Sequence, residues 1–146
     1  MQYHFKIHKE SDGYWAECVE LDGCFTQADT REELNKAMHE ALNLHLSETP
    51  SSKTVFPLPE KQAGRNIVAV DVEPNIALAL SVRQIRLNKR LNQTEMMKFL
   101  GISPLSNYQR LEDPKRANPE FKTLAAITSK LPELNVMEIL KSGKTG

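Results

Sequence analysis

The sequence lacks the marks of membrane, disulfide-rich and zinc-binding proteins. It has no apolar run of about 18 residues and no basic-then-apolar leader, so we expect a cytoplasmic protein. Its two cysteines, Cys18 and Cys24, are too few for a disulfide scaffold. We interpret them as small, partly buried apolar residues on two strands of one hairpin, because no His or Cys pair at zinc spacing supports a metal or redox role.

Net charge is also absent, but only because two regions of opposite sign cancel. Residues 1–50 carry four Lys/Arg against ten Asp/Glu, whereas residues 76–146 carry twelve against six. The intervening residues 51–75 are neutral. This asymmetry favours a basic part that meets nucleic acid and an acidic part that meets another partner, although charges scattered over solvated faces would give the same totals.

The first half of the chain has the pattern of a small sheet with one helix. Alternation and turn residues predict strands over 2–8, 14–19 and 24–27, and a nearly continuous apolar run at 67–72 predicts a strand covered on both faces. Thr30 and Glu33 form a capping-box pattern that begins the helix. Its inward positions are Leu34, Met38, Ala41, Leu42 and Leu46, and its outward positions are Glu32, Lys36, Asn43 and Glu48. We therefore predict a β-β-β-α-β domain over 1–73, with a Pro- and Ser-containing linker or loop at 49–65.

The second half, 74–146, has only helical signals. Capping residues and helix breakers predict helices over 75–90, 94–100, 103–112, 118–131 and 136–140. Asn92, Ser103, and Asn118 with Pro119 are the predicted starts of the second, third and fourth helices. The chain as a whole is thus expected to be α+β, with an all-α bundle at its C-terminal end.

The stretch NQTEMMKFLGIS at 92–103, followed by YQRLE at 108–112, carries the clearest motif. Gly101 permits a tight turn between two helices, Ile102 supplies an apolar contact beneath it, and Ser103 is suited to cap the next helix. Over about 60 residues, including the TLAAI helix at 123–127, this part resembles the helix-turn-helix domains of the Cro and phage-repressor class. The segment at 104–107 is one residue longer than is usual in that class, which leaves the base-reading positions open by about one residue.

The resemblance implies a surface that binds palindromic operator DNA, with the protein as a homodimer or higher homo-oligomer. Gln93 is expected to bind a phosphate, and Asn, Gln and Arg side chains on the second helix can bond base edges. The predicted DNA-binding residues are Gln93, Ser103, Ser106, Asn107, Gln109, Arg110, Lys115 and Arg116. Two alternatives stay open: Arg110 could instead pair with Glu112 or Glu95, and Lys115 and Arg116 could form a merely solvated loop. Tyr108 is expected in the core.

The first half offers no set of catalytic residues. Its carboxylates fall mainly in turns and on the outer face of the helix. His4 and His8 would lie about 13 Å apart in an extended strand, too far to chelate one metal. His39 and His45 are spaced by six residues on a helix, a poor chelating interval. We therefore expect no enzyme activity, metal or cofactor.

A second resemblance concerns this first half. The segments MQYHFKI at 1–7, GYWAECVELDGC at 13–24 and TQADT at 26–30, followed by a helix with Leu34, resemble the HicB antitoxin family in order and spacing up to about residue 72. Family members often append a helix-turn-helix domain. The resemblance implies a partial ribonuclease-H-like fold. Catalytic ribonucleases H carry an Asp on their first strand as part of a metal-binding carboxylate set. The first predicted strand here has no carboxylate, so a two-metal mechanism has no ligands there.

The family resemblance also implies a partner, the small basic toxin HicA, which cleaves messenger RNA. An acidic domain would be steered to such a partner. We expect Trp15, Glu17, Glu20 and Asp22, on the exposed phase of the second strand and its turn, to contact it; Trp15 could instead pack under the helix or in a homodimer. The predicted function is an antitoxin that neutralises this toxin and represses its own operon. The alternatives are a stand-alone transcription regulator with an effector-binding first domain and, third, a nuclease.

Overall fold

A computed structural model describes residues 1–49 and 51–141 as a mixed α+β chain. Within these residues there are one four-stranded antiparallel sheet and six helices. The chain divides into two compact units. The sheet unit comprises Met1–Leu46 and Phe56–Glu73, with Lys141, and the helical unit comprises Ser47–Val55 and Pro74–Leu140.

The sheet unit has the strands β1 (Gln2–Glu10), β2 (Gly13–Cys18), β3 (Phe25–Ala28) and β4 (Ile67–Asp71) in the order β3-β2-β1-β4. Every neighbouring pair is antiparallel. Because directly opposite residues share a face of a sheet, the register assigns each strand residue to one of two faces. One face carries the buried side chains Tyr3, Phe5, Ala16, Cys18 and Val70.

Helix α1 (Arg31–Leu46) covers that buried face, packing on β2, β3 and β4. It begins after Thr30, whose hydroxyl accepts a hydrogen bond of 3.2 Å from the Glu33 N–H. The helix buries an apolar stripe at helical spacing, as the sequence predicts: Leu34, Met38, Leu42 and Leu46.

One residue of this helix was expected to face outward and does not. Asn43 is 7% exposed. Its amide donates to the Asp71 carbonyl at 3.1 Å and its side-chain oxygen accepts from the Glu73 N–H at 2.7 Å. The prediction was wrong because this side chain supplies hydrogen bonds to backbone groups where β4 ends, and helical periodicity carries no information about that distant segment.

The prediction that the last strand is covered on both faces was also wrong. β4 is an edge strand that pairs only with β1. Val70 is buried, whereas Ala69, which points to the other face, is exposed. A run of apolar residues therefore marks an edge strand here, because α1 packs on one face of the sheet and Ala69 on the other face is exposed.

The connection before β4 is irregular in its described residues. From Phe56 onward it belongs to the sheet unit: Phe56 is buried, and the Tyr3 hydroxyl donates to the Pro57 carbonyl at 2.7 Å. Its earlier part, Ser47–Val55, belongs to the helical unit, where the Thr54 carbonyl accepts a 2.8 Å hydrogen bond from the buried Arg83. The predicted linker is thus divided between the two units, and the hydrogen bonds at Thr54 and Pro57 tie its middle part to them.

Among its described residues, the helical unit has five helices: α2 (Pro74–Asn88), α3 (Gln93–Leu100), α4 (Leu105–Leu111), α5 (Phe121–Lys130) and α6 (Val136–Leu140). α3 has a complete capping box, in which the Asn92 side chain accepts from the Glu95 N–H and the Glu95 carboxylate accepts from the Asn92 N–H. α3 ends at Gly101 in the left-handed conformation, φ 70°, which is strained for residues with a Cβ atom.

Two predicted helix starts were wrong, and proline explains both. Ser103 does not cap α4: Pro104 occupies the N-cap position, and no side chain makes a capping hydrogen bond there. Asn118 and Pro119 precede α5, whose N-cap is Glu120 in an extended conformation. A residue before proline is pushed towards extended backbone, so both helices begin beyond the polar residue that looked like a cap.

Candidate functional site

The face of the sheet opposite α1 carries two of the predicted partner-binding residues. Trp15 and Glu17 of β2 share this face with His8 and Phe25, according to the strand register. The Trp15 and His8 rings stack with centroids 4.0 Å apart, and His8 Nε2 lies 3.3 Å from a Glu17 carboxylate oxygen. Phe25 is 68% exposed. The alternative that Trp15 packs under the helix is therefore wrong, because α1 lies on the other face.

Glu20, in contrast, is not on an exposed surface. Its side chain is 4% exposed and is bound to β1: one carboxylate oxygen accepts from the His4 N–H at 2.9 Å, and the other lies 2.7 Å from His4 Nδ1. The second oxygen also accepts a 3.4 Å hydrogen bond from the Glu60 N–H. The prediction of exposure was wrong because Glu20 ties the turn after β2 to neighbouring backbone.

Asp22 is exposed and lies in a larger acidic site. An open cleft of about 1230 Å³ runs along β3 and the first turns of α1. Six exposed carboxylates line it, and we call this set the acidic cleft: Glu10, Asp12, Glu17, Asp22, Asp29 and Glu33. Trp15 and Phe25 also line the cleft, and no Lys or Arg does so among the described residues. Such a site repels anions and attracts cationic groups, with two aromatic rings available for apolar contact.

Only part of the acidic cleft could be predicted from the sequence. Glu10 ends β1, Asp12 lies in the turn that follows, Asp29 precedes α1 and Glu33 lies in its first turn, so only the sheet topology brings them to the same cleft as Glu17. The available signal was the excess of acidic residues in the first 50 positions, which indicates the charge of the unit but not its location. For Phe25 the available signal was weaker: it is an aromatic residue next to Cys24 in the predicted strand, and strand alternation places it on the face opposite that cysteine.

In the helical unit, α3, the turn at Gly101 and α4 form the second candidate site. The predicted DNA-binding residues of α4 are exposed along the helix: Ser106, Asn107, Gln109 and Arg110. Ser103, just before α4, is exposed as well, and its carbonyl accepts a 3.1 Å hydrogen bond from the Asn107 amide. Tyr108 is fully buried, as predicted.

A buried hydrogen-bond network connects this exposed surface to α2. Arg86 makes a two-pronged ion pair with Glu112, at 2.7 and 2.9 Å, and the Tyr108 hydroxyl donates to the same carboxylate. The Gln93 amide lies 3.4 Å from a Glu112 oxygen, and Gln109 donates to the Gln93 side-chain oxygen at 3.2 Å. The network thus holds Gln93 against the exposed side of α4.

Both carboxylates proposed as alternative partners of Arg110 are bound by other groups. The carboxylate of Glu112 is bound by Arg86, and that of Glu95 is used in the α3 capping box. Arg110 is exposed. The alternative that Arg110 pairs with one of these carboxylates as part of the scaffold is therefore wrong. Glu112 is buried against Arg86, and the Glu95 carboxylate accepts a hydrogen bond from the Asn92 N–H. Arg86 was missed by the sequence argument, since a charged residue on an amphipathic helix is normally assigned to its solvated face.

Lys115 and Arg116 lie in the turn after α4 and are both exposed. Arg116 Nε is 3.4 Å from an Asp113 carboxylate oxygen, and the Lys115 N–H donates to Asp113 at 2.9 Å. Asp113 therefore orders this turn and offsets part of its positive charge. Lys115 contributes the less compensated cation at this end of α4.

No protein-family model matches the chain, and no curated protein sequence matches it either. Within residues 1–49 and 51–141, no group of three or more His, Cys, Asp or Glu side chains is arranged to hold a metal ion. In the same residues, each helix is too short or too polar to span a bilayer.

Proposed function

We propose that this chain is an antitoxin of the HicB type, which neutralises a small basic ribonuclease toxin through its sheet unit and represses its own operon through its helical unit. The observation that carries the proposal is the acidic cleft, which combines six carboxylates with two accessible aromatic rings. A toxin that binds RNA presents positive charge, so charge complementarity favours and accelerates its capture. The β-β-β-α-β order of the sheet unit agrees with the partial ribonuclease-H-like fold that the family resemblance implies.

The helical unit supports the repressor half of the proposal. A capped helix, a left-handed glycine and a second helix with exposed Asn, Gln and Arg side chains are what a helix-turn-helix reader of the major groove requires. Gln93, held by Glu112 and Gln109, is suited to contact a phosphate at the start of α3. We propose a palindromic operator bound by a homodimer or higher homo-oligomer, because one such helix covers only a short half-site.

The toxin-binding half is tested by reversing charge in the acidic cleft. The chain is co-expressed with the product of the adjacent short reading frame, and co-purification, association rate and rescue of growth are measured. Glu33→Lys should slow association and weaken rescue, because it places a cation in the cleft. Glu40→Lys, the same change at an exposed position of α1 that does not line the cleft, is the matched control. Equal behaviour of the two variants, or no binding by the wild-type chain, would refute this half.

The DNA-binding half is tested separately with the full chain and the promoter fragment of its own gene. Arg110→Ala should weaken operator binding in a gel shift by about 1–3 kcal/mol, on the order of 5- to 150-fold, and should leave toxin neutralisation intact. Arg65→Ala, an exposed arginine of the sheet unit, controls for loss of a positive charge. If Arg110→Ala impairs both activities, the residue is structural.

A stand-alone regulator remains the second candidate, favoured by the volume of the acidic cleft, which is large enough for a small cationic effector. Native mass spectrometry of the purified chain distinguishes the two. A bound small molecule that Glu33→Lys abolishes, with no protein partner, would favour the regulator over the antitoxin.

A further inference from the structure

Cys18 and Cys24 lie directly opposite each other at the end of the β2–β3 hairpin. The strand register pairs Glu17 with Phe25, and the Cys18 N–H donates to the Cys24 carbonyl at 2.8 Å, which continues that register by one step. Opposite residues of an antiparallel pair share a face and have Cα atoms about 4.5–5.5 Å apart. This spacing falls within the range of about 4.4–6.8 Å that a disulfide requires.

The two thiols are reduced and buried, at 7% and 4% exposure, and both line the acidic cleft. The cleft therefore gives a small uncharged oxidant a path to them. The Cys18 thiol donates to a Glu20 carboxylate oxygen at 3.8 Å. The neighbouring Cys24 side chain lowers the pKa of Cys18, although burial and the Glu20 carboxylate oppose this, and the Cys18 side chain raises the pKa of Cys24. Thiolate character at one sulfur of a pair is what favours attack on a peroxide.

We propose that Cys18 and Cys24 form a peroxide-sensitive dithiol that is converted to an intrachain disulfide without unfolding of the hairpin. The Cys18 thiolate attacks hydrogen peroxide: an S–O bond forms, the O–O bond breaks and hydroxide leaves, giving a sulfenic acid. The Cys24 sulfur then attacks the Cys18 sulfur, forming the S–S bond. The S–OH bond breaks, and water leaves with the proton of the Cys24 thiol. Overall, two thiols and one peroxide give one disulfide and two waters.

The disulfide would close the Val19–Gly23 turn, which carries Asp22, one of the carboxylates that line the cleft. The site does not depend on the proposed function, because it follows from the hairpin register and from access through the cleft. Neither cysteine spacing nor composition indicates it: five residues separate the two thiols, and only the register makes them neighbours.

The test uses the full-length reduced chain treated with hydrogen peroxide, then alkylated and mapped by mass spectrometry, with glutathione as a reference thiol in the same solution. We expect loss of both free thiols, a mass lower by two hydrogen atoms, and a Cys18–Cys24 crosslinked peptide in monomeric chain. Circular dichroism should stay unchanged and dithiothreitol should restore both thiols. Thiols that stay alkylatable while glutathione is consumed, or crosslinks that only join two chains, would overturn the proposal.

Single variants test the order of the steps. In Cys24→Ser, Cys18 should accumulate as a sulfenic acid that dimedone traps. In Cys18→Ser, Cys24 should stay largely alkylatable under the same treatment. Equal reaction of the two variants with dimedone would contradict the assignment of Cys18 as the attacking thiol. The wild-type peptide map needs no variant, so it decides the dithiol proposal even if either variant fails to fold.

Discussion

The buried Arg86–Glu112 pair allows a quantitative test of how the helical unit is held together. The two side chains are 8% and 0% exposed and meet in a two-pronged ion pair. Arg86→Met leaves the Glu112 carboxylate buried without its cation. We expect the free energy of unfolding to fall by about 3–5 kcal/mol, because an uncompensated buried charge costs far more than a surface ion pair contributes.

The double variant Arg86→Met/Glu112→Leu separates charge from packing. Since it removes the stranded carboxylate, it should be more stable than Arg86→Met alone, even though the Tyr108 hydroxyl then loses its acceptor. Arg110→Met, the same substitution at an exposed arginine, is the control and should change stability by no more than about 0.5 kcal/mol.

The assay is urea denaturation followed by two signals. Far-ultraviolet circular dichroism reports mainly the helical unit, which contains five of the six described helices, and the fluorescence of Trp15, the single tryptophan, reports the sheet unit. A loss that belongs to the helical unit should appear in the helical signal first. The reasoning is refuted if Arg86→Met costs less than about 1 kcal/mol, or if the double variant is no more stable than the single one.

Three further predictions concern stability. Asn43→Ala should lower the free energy of unfolding, measured by heat or urea, by about 1–3 kcal/mol, because it leaves buried backbone groups without their hydrogen-bond partner. Asn35→Ala, at an exposed position of the same helix, should be nearly neutral. Similar losses in the two variants would contradict this. Gly101→Ala should cost about 1 kcal/mol because alanine is strained at φ 70°, and unchanged melting would argue against that conformation. Burial raises the pKa of Tyr3 and Tyr108 above the usual value of about 10, so the folded state holds their protons more tightly. Their contribution to stability should therefore be complete below pH about 10 and fall as pH rises above it. Tyrosinate absorbance should show that the Tyr3 and Tyr108 hydroxyls of the folded chain stay protonated above pH about 10, and ionisation of either before unfolding would refute this.

The order of elements and most of their bounds could be predicted from the sequence, because they depend on local interactions. Alternation in β1 and the apolar stripe of α1 reflect the periods of strand and helix, and the Asn92 capping box involves residues three positions apart. The left-handed Gly101 belongs to the same class of local signal. At Ser103 the capping residue alone predicted the wrong helix start, because the following Pro104 occupies the N-cap position.

Tertiary structure decided everything that depends on which distant groups meet. Asn43 and Glu20 are polar residues that sequence patterns assign to solvent, yet each is buried, because backbone groups far along the chain need its hydrogen bonds. The ion pair of Arg86 likewise spans 26 residues. The acidic cleft and the opposed thiols of Cys18 and Cys24 arise only once strand order and register are known. Composition determined that the chain has an acidic part and a basic part; packing determined which of those charges line one site, because side chains far apart in sequence become neighbours only across a sheet.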